Sequence, residues 1–551
     1  MAQQLYFSRD TRMFIQFRNP ADNTEAAAKL GAGALWEVPV LDGYSFSQTT
    51  NTSEITLAEM ESTVGISRRG RRMFTDSLAP AEWSFSTYIR PFVSKAGSVT
   101  PAGSVAASDA TEVHAVEEAL WAGMFGADTY TTGSGFTRAT NPAVSGGPVI
   151  TPASTSSVIS IAESNRSAMT GFVIFFMIDT ATSNPLVYRL PEAVVNEVSV
   201  DFDVDGIATL NWSGMAKEIQ DVSGGVLTGT SAPAYNATSK DGSTVVLGDI
   251  FIDTDNALGR QFNIVKTVPG SGNVSLTAAI DEGTTSTKNF IRNRLTSVSI
   301  EAADATDKIP TIFPGSNVPI TGLTKADPAV ATAAAHGFAV GDKVFVSGTC
   351  AITTSSVDVL QNIEHTITAV TTNTFTIGAL DTSSSSGTFS ASSLVAANGK
   401  YSLVLTGGNF TLGNNITYLV PEELGAINQP LEHVTGNRAA TGNATCYLTL
   451  DDADITSGTS RQFFNDLVST GAMSKVVNKF EVTMHIGGAT ATGNTTDPAL
   501  KIVFPTAHIE VPTHSIEDVI SMETNFTALP TDFGTADEVS SITYFPVDDY
   551  A

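Results

Sequence analysis

Strict alternation of apolar and polar residues leaves a segment few ways to fold. Residues 83–89 place apolar Trp83, Phe85 and Ile89 against Ser84, Ser86 and Tyr88. A period of two predicts a strand with one face buried. This strand closes a unit running from Leu41 to Phe92, which opens with a strand from Val38 to Phe46 that contains Pro39 and an Asp42-Gly43 turn. Between the strands lies an arm carrying Glu54, Glu59 and Glu61, then Arg68, Arg69, Arg71 and Arg72 around Gly70. The arm is too long for a tight hairpin and too polar to bury alone. Loops of this length in compact proteins are usually functional or disordered, and a neighbouring subunit is the simplest partner to order it. Four arginines beside three glutamates suit an intersubunit ion-pair network, because guanidinium groups pair carboxylates in a bidentate fork. A nucleic-acid patch and a solvated surface arm are the alternatives.

Composition narrows the function. The 551 residues suggest two to four domains. Charged residues make up only 15% against 42% hydrophobic, with many small residues, which suits short strands and many turns. The net charge of −27 argues against a protein that grips nucleic acid by its phosphates, which should be basic. Solubility alone would explain the same balance. Two distant cysteines, Cys350 and Cys446, provide no disulfide framework or zinc cluster. The first residues carry no apolar core of a signal peptide. The longest apolar run, Phe172 to Ile178, falls well short of the ~18 residues of a membrane helix and reads as a buried strand. Seven scattered histidines form no HExxH, and no CxxC, phosphate loop or nucleophile elbow is present. The expectation is therefore no enzyme, no metal, no cofactor and no membrane insertion.

The run SFSQTTNTSEITLAEMESTVGISRRGRR at 45–72, followed by WSFSTYIRP at 83–91, resembles bacteriophage tail tube proteins, most strongly over residues 5–125. The resemblance implies a β-sandwich or split-barrel subunit with one flanking helix. It also implies stacked rings around a DNA channel, with the long arm touching the next ring.

Along the chain, residues 5–17 read as a first strand. Asp109 and Glu112 imitate a capping box. Val113, Val116, Leu120 and Met124 then follow at helical spacing, with Trp121 and Phe125 widening the stripe and Gly126 at the stop. For His114 and Trp121, core packing is a better reading than cofactor binding. Residues 186–213 predict a hairpin, with Val198, Val200 and Phe202 on one face and Glu197, Ser199, Asp201 and Asp203 on the other. A three-residue loop, Val204-Asp205-Gly206, would set Val200 opposite Leu210 and Val198 opposite Trp212, keeping one face apolar. Asp201, Asp203 and Asp205 imitate the start of a calcium loop, but Trp212 stands where that loop needs a glutamate. An acidic strand face, turned to solvent or to a channel, is the better reading.

The second half echoes the first. Leu190-Pro191 matches Phe504-Pro505 and Asn211-Trp212-Ser213 matches Asn525-Phe526-Thr527, both at an offset of 314. A second helix is expected from Thr459, with Phe463, Phe464, Leu467 and Val468 on its apolar face, and Phe410 to Ala440 takes the place of the arm with a single arginine, Arg438. Two tandem copies follow. The second is interrupted by HGFAVGDKVFVSG and VTTNTFTI, which resemble a small β-barrel module found in phage structural proteins.

The expected fold is mainly β. It has a first tube-like sandwich or barrel domain at 1–222, a connecting segment at 223–289, and a second tube domain at 290–320 and 398–551. An inserted small β-barrel domain at 321–397 should project from the surface. The expected function is a structural virion protein, assembled in the host cytoplasm. Three chains would close a pseudo-hexameric ring of a long non-contractile tail, with viral DNA passing through ungripped. Expected partners are further copies of the chain and the tape-measure, tail-tip and terminator proteins. The alternative is a tail-tip or baseplate hub, or a surface adhesin built from β-modules.

Overall fold

A computed structural model describes residues 6–17, 35–54, 73–93, 99–100, 103–104, 112–127, 129–131, 135–137, 148–161, 169, 171–178, 185–229, 245–254, 261–267, 275–278, 289–302, 318–347, 364–378, 380–385, 395–398, 400–422, 428–449, 459–468, 480–487, 498–516, 518–531 and 537–546. The fold is mainly β, with two α-helices among the described residues.

The alternation at Trp83 produces the expected strand, Ala81–Tyr88, whose odd-numbered residues are buried. It pairs on one side with Ser45–Ser47 and on the other with Thr209–Ala216. Thr209–Ala216 returns along Leu186–Asp203 in the expected register, Val198 opposite Trp212 and Val200 opposite Leu210. Gly206 at the turn has φ +137°, a conformation L side chains rarely adopt. Across the first half the strand order is Leu35–Val38, Thr11–Phe17, Phe172–Ile178, Leu186–Asp203, Thr209–Ala216, Ala81–Tyr88, Ser45–Ser47. Across the second half it is Lys400–Leu403, Ser297–Ala302, Phe480–Gly487, Ala499–Ile509, Ser521–Ala528, Ala439–Tyr447, Leu405–Gly413. Ranked by their place in the chain, the strands follow the same path in both halves.

The unbroken offset of 314 does not survive in space. It sets Pro512 in the role of Val198, yet the residue opposite Phe526 is Ile509. Equal spacing in sequence conceals a shift of the second hairpin relative to the first.

Phe172–Ile178 is buried on both faces. Phe172, Ile174 and Phe176 enter the main core, while Val173, Phe175 and Met177 enter a second one with Phe14, Ile250, Ile252, Phe262 and Ile264. Phe14 and Phe262 stack with centroids 4.2 Å apart. The second core is closed by a four-stranded sheet of Leu227–Gly229, Ile250–Asp253, Gln261–Thr267 and Ser275–Ala278. Much of the segment read as connection is thus the layer that makes a continuous apolar strand possible.

The first helix is shorter than its sequence pattern predicts. Val113–Ala115 is a strand paired with Pro91–Val93, and the helix covers only Glu118–Met124. A neighbouring strand supplies backbone partners for residues that helical periodicity alone would have enrolled. Glu118 turns back to hydrogen-bond His114 Nδ1 at 3.1 Å. The helix is wholly buried, and Trp121 meets Trp212 edge to face at 5.0 Å. The second helix, Ser460–Val468, opens as expected: Thr459 Oγ1 accepts from the Gln462 amide at 3.2 Å.

Residues 318–398 contain a separate seven-stranded sheet with its own core around Val344, Ile367, Phe375 and Ile377. Its first and last strands, Val318–Pro319 and Val395–Asn398, pair with each other. The strands on either side of this excursion, Ser297–Ala302 and Lys400–Leu403, pair directly.

Candidate functional site, a polar sheet face shared by both halves

The two halves join through strands. Leu186–Asp203 has a free edge beyond its hairpin partner, and Leu405–Gly413 of the second half fills it, with Glu197 opposite Gly413, Ser199 opposite Thr411 and Asp201 opposite Asn409. The Phe202 ring lies over Gly408, where a Cβ would sit 2.7 Å from the ring carbons. Asn414 Nδ2 donates to Met124 O and Val195 O, and the Ile416 amide donates to Asn196 Oδ1 at 2.7 Å. A second seam joins Ser157–Ile159 to Ser541–Phe545. Behind it, Trp121 Nε1 donates to the Tyr544 hydroxyl at 2.7 Å, and that hydroxyl donates to Glu117 Oε1 at 2.7 Å. Burial pushes the Glu117 carboxyl up to about 7, against the opposing pull of the Tyr544 hydrogen bond and Arg90.

The junction makes one sheet of eight chain segments, in the order Ser45–Ser47, Ala81–Tyr88, Thr209–Ala216, Leu186–Asp203, Leu405–Gly413, Ala439–Tyr447, Ser521–Ala528 and the outer segment of residues 507–515. One face buries Trp83, Phe85, Val198, Val200, Leu210, Trp212, Phe410, Leu412 and Phe526. Side chains of the pleat alternate, so the registers set the other face. It presents Ser45, Ser47, Ser84, Ser86, Asn211, Ser213, Ser199, Asn409, Thr411, Thr441, Asn443, Asn525 and Thr527.

The charges on this face are Glu82, Glu197, Asp201, Asp203, Glu510 and Glu523; among the described residues of these strands it has no lysine or arginine. Amides and hydroxyls tie the carboxylates into the surface. Asn211 Nδ2 donates to Asp201 Oδ2 at 3.3 Å and Ser86 Oγ to Asn211 Oδ1 at 2.7 Å. Asn443 Nδ2 reaches Glu523 Oε1 and Asn525 Nδ2 reaches Glu510 Oε2, each at 3.5 Å. Chemically this is an anionic surface with carboxylate and hydroxyl oxygens outward and, among its described residues, no lysine or arginine to hold a phosphate. Among the described residues no group of three or more His, Cys, Asp or Glu is placed to hold a metal ion. No helix among them is long and apolar enough to cross a membrane.

Of the residues singled out from sequence, Glu197, Asp201 and Asp203 are exposed together on this face. Glu54 is elsewhere, at the end of the hairpin Thr50–Glu54 with Met73–Leu78, opposite Met73. Glu59, Glu61, Arg68, Arg69, Arg71 and Arg72 lie outside the described residues. The arm of the second half is a shorter hairpin than expected, Thr417–Leu419 with Glu432–Val434; Phe410 belongs to the shared sheet instead. Arg438 finds its carboxylate within the chain, Glu538 Oε2 at 3.2 Å from Nη1. The two hairpins touch: the Leu78 amide donates to Asn428 O at 2.8 Å. They carry exposed Met73, Phe74, Leu419, Leu431 and Val434. Sequence reasoning missed Glu82, Glu510 and Glu523. Glu82 extends the alternation already seen at Trp83 and was legible; the other two acquire their place only through pairing.

No protein-family model matches the chain. Over 141 residues it is 36% identical to the tail tube protein pb6 of Escherichia phage T5. The match covers 26% of this chain and 28% of that relative's length. In that segment the chain is similar to a protein of a phage tail tube.

Proposed function

We infer that this chain is a structural protein of a phage tail, which polymerises as stacked rings into a tube that viral DNA crosses without being gripped. The observation that carries this reading is the shared sheet face, anionic and hydroxyl-lined across both halves with no lysine or arginine among the described residues it presents. Phosphates moving past it are repelled, and at physiological salt the repulsion acts within a Debye length of roughly 8 Å. The similarity to a tail tube protein supports the same reading. So does the common strand order of the two halves, which suits a duplicated tube domain over residues 1–222 and over 290–320 with 398–551. Residues 223–289 would then be an added layer and residues 321–397 an inserted module. If a ring holds six such units, three chains close it. The chain needs no catalytic group for this role.

The paired hairpins are the proposed stacking surface. They lie side by side with apolar side chains exposed, Met73 at 59% and Leu431 at 58%. The arginines of the first arm would meet carboxylates of the next ring. Tape-measure, terminator and tip proteins would cap such a stack. A module projecting outward would collide with a contractile sheath, which favours a long non-contractile tail.

Negative-stain microscopy of the purified protein tests the reading. Stacked rings with threefold symmetry are expected. Rings of six undivided chains would refute the duplication. Three or six copies per virion, rather than tens, would place the protein at a tail tip or hub.

A further inference from the structure

Two seams hold the halves together, and they are built differently. The first, Leu186–Asp203 with Leu405–Gly413, has seven facing residue pairs. Its core side is Val198, Val200, Phe202, Phe410 and Leu412, none of which ionises. The second, Ser157–Ile159 with Ser541–Phe545, has three. The final strand belongs to the second half. All five of its residues pair with residues 499–503, and Glu538 just before it holds Arg438 at 3.2 Å. It grips the first half through Ser157–Ile159 and through the Tyr544 hydroxyl, seated between Trp121 Nε1 and Glu117 Oε1.

We propose that the second seam is a latch, which opens while the first seam holds, and that the halves become one assembly-competent body only when Tyr544 is seated. What the latch controls rests on the ring reading above, because a ring of such units closes only at a fixed angle between the halves. The socket makes this the weaker seam. Glu117 is fully buried, and its Oε2 has no hydrogen-bond partner. Facing it are Tyr544 from the final strand and Arg90, which follows Ala81–Tyr88. Next to it on its own stretch are Glu118, hydrogen-bonded to His114, and Glu112, 4.0 Å from His114 Nε2. Arg90 also lies over the Phe290 ring, 4.7 Å from its centroid, and offsets the burial of Glu117 only in part. The seated carboxyl therefore keeps its proton up to about pH 7, against 4.5 where water reaches it. Opening supplies that water. The latch is tightest below pH 4.5 and loosens as the pH climbs to about 7. Sub-global openings of this kind leave the rest of a fold intact.

Amide hydrogen exchange on the unassembled full chain is the test. Residues 157–159 should exchange ahead of Leu186–Asp203 and Leu405–Gly413. Corrected for the base catalysis of exchange itself, their opening constant should rise about tenfold more between pH 6 and 8 in the parent than in Glu117→Gln. His114, Glu118, Glu112 and Arg90 are common to both proteins. Val158→Cys with Thr543→Cys places sulfurs across the seam, where facing Cα atoms of paired strands fall within disulfide reach. Oxidation of that pair should suppress the opening. Ring formation by the parent should then slow between pH 6 and 8 more than ring formation by the oxidised pair. Exchange of 157–159 in step with the first seam, or an equal pH rise in Glu117→Gln, overturns the latch whether or not rings form. Equal slowing of the parent and the oxidised pair overturns its control of assembly. A latch that opens as expected in a protein that forms no rings at either pH stands by itself and sinks the ring reading instead.

Discussion

Substituting Glu117 by glutamine should change how stability depends on pH. The carboxyl is fully buried at the seam between the halves, with Oε1 accepting from Tyr544 and Oε2 lacking a hydrogen-bond partner. Its pKa rises from 4.5 to about 7 because burial penalises the charged form. In the unfolded chain the carboxyl returns to its ordinary value, so the folded state holds the proton more tightly. The stability linked to this proton is fully present below pH 4.5 and is lost as the pH climbs through about 7. At about 1.4 kcal/mol per pKa unit, the difference amounts to roughly 3 kcal/mol. Glutamine keeps a carbonyl oxygen for the Tyr544 hydroxyl and cannot ionise. Urea unfolding of the unassembled chain, followed by the fluorescence of its four buried tryptophans, reads the effect. Glu117→Gln should match the parent near pH 4 and exceed it by roughly 3 kcal/mol at pH 8. His114, Glu118 and Arg90 are common to both proteins, so the difference isolates Glu117. Parallel stability curves between pH 4 and 8 would refute the assignment of a buried, protonated carboxyl.

Trp121→Phe removes the donor to Tyr544 while keeping the ring. It should cost about 1–3 kcal/mol, measured by the same unfolding, because the buried hydroxyl loses a partner. Gly214→Ala builds a Cβ 2.1 Å from Val194 O and 2.3 Å from the Trp83 ring. A loss of at least ~1–3 kcal/mol is expected, and an unchanged urea midpoint would show that the strand yields. Asp201→Lys with Glu197→Lys reverses charge on exposed positions of the polar face. Tubes should still assemble, while DNA release from virions slows and the slowing weakens with added salt; unaltered release kinetics would remove that face from the channel. Met73→Ser with Phe74→Ser should leave single rings intact but shorten or abolish stacks in negative stain.

Local pattern decided a great deal. The alternation at Trp83, the Val198–Trp212 register with its glycine turn, the Thr459 cap and the carboxylates at Glu197, Asp201 and Asp203 were all legible, because each depends on neighbours a few residues away. The continuous apolar run Phe172–Ile178 announced a strand buried twice. Its second cover, the sheet around Ile250 and Phe262, was hidden in a segment that looked like connection. Only tertiary pairing turned Val113–Ala115 from helix to strand, since the deciding hydrogen bonds come from Pro91–Val93. It also shifted Phe526 against Ile509 despite the unbroken offset. Above all it set Glu197–Asp203 beside Gly407–Gly413, making one polar surface from residues 204 to 216 positions apart. Sequence determines which face of a strand is apolar; which strand lies alongside is decided by edges that meet only in the folded molecule.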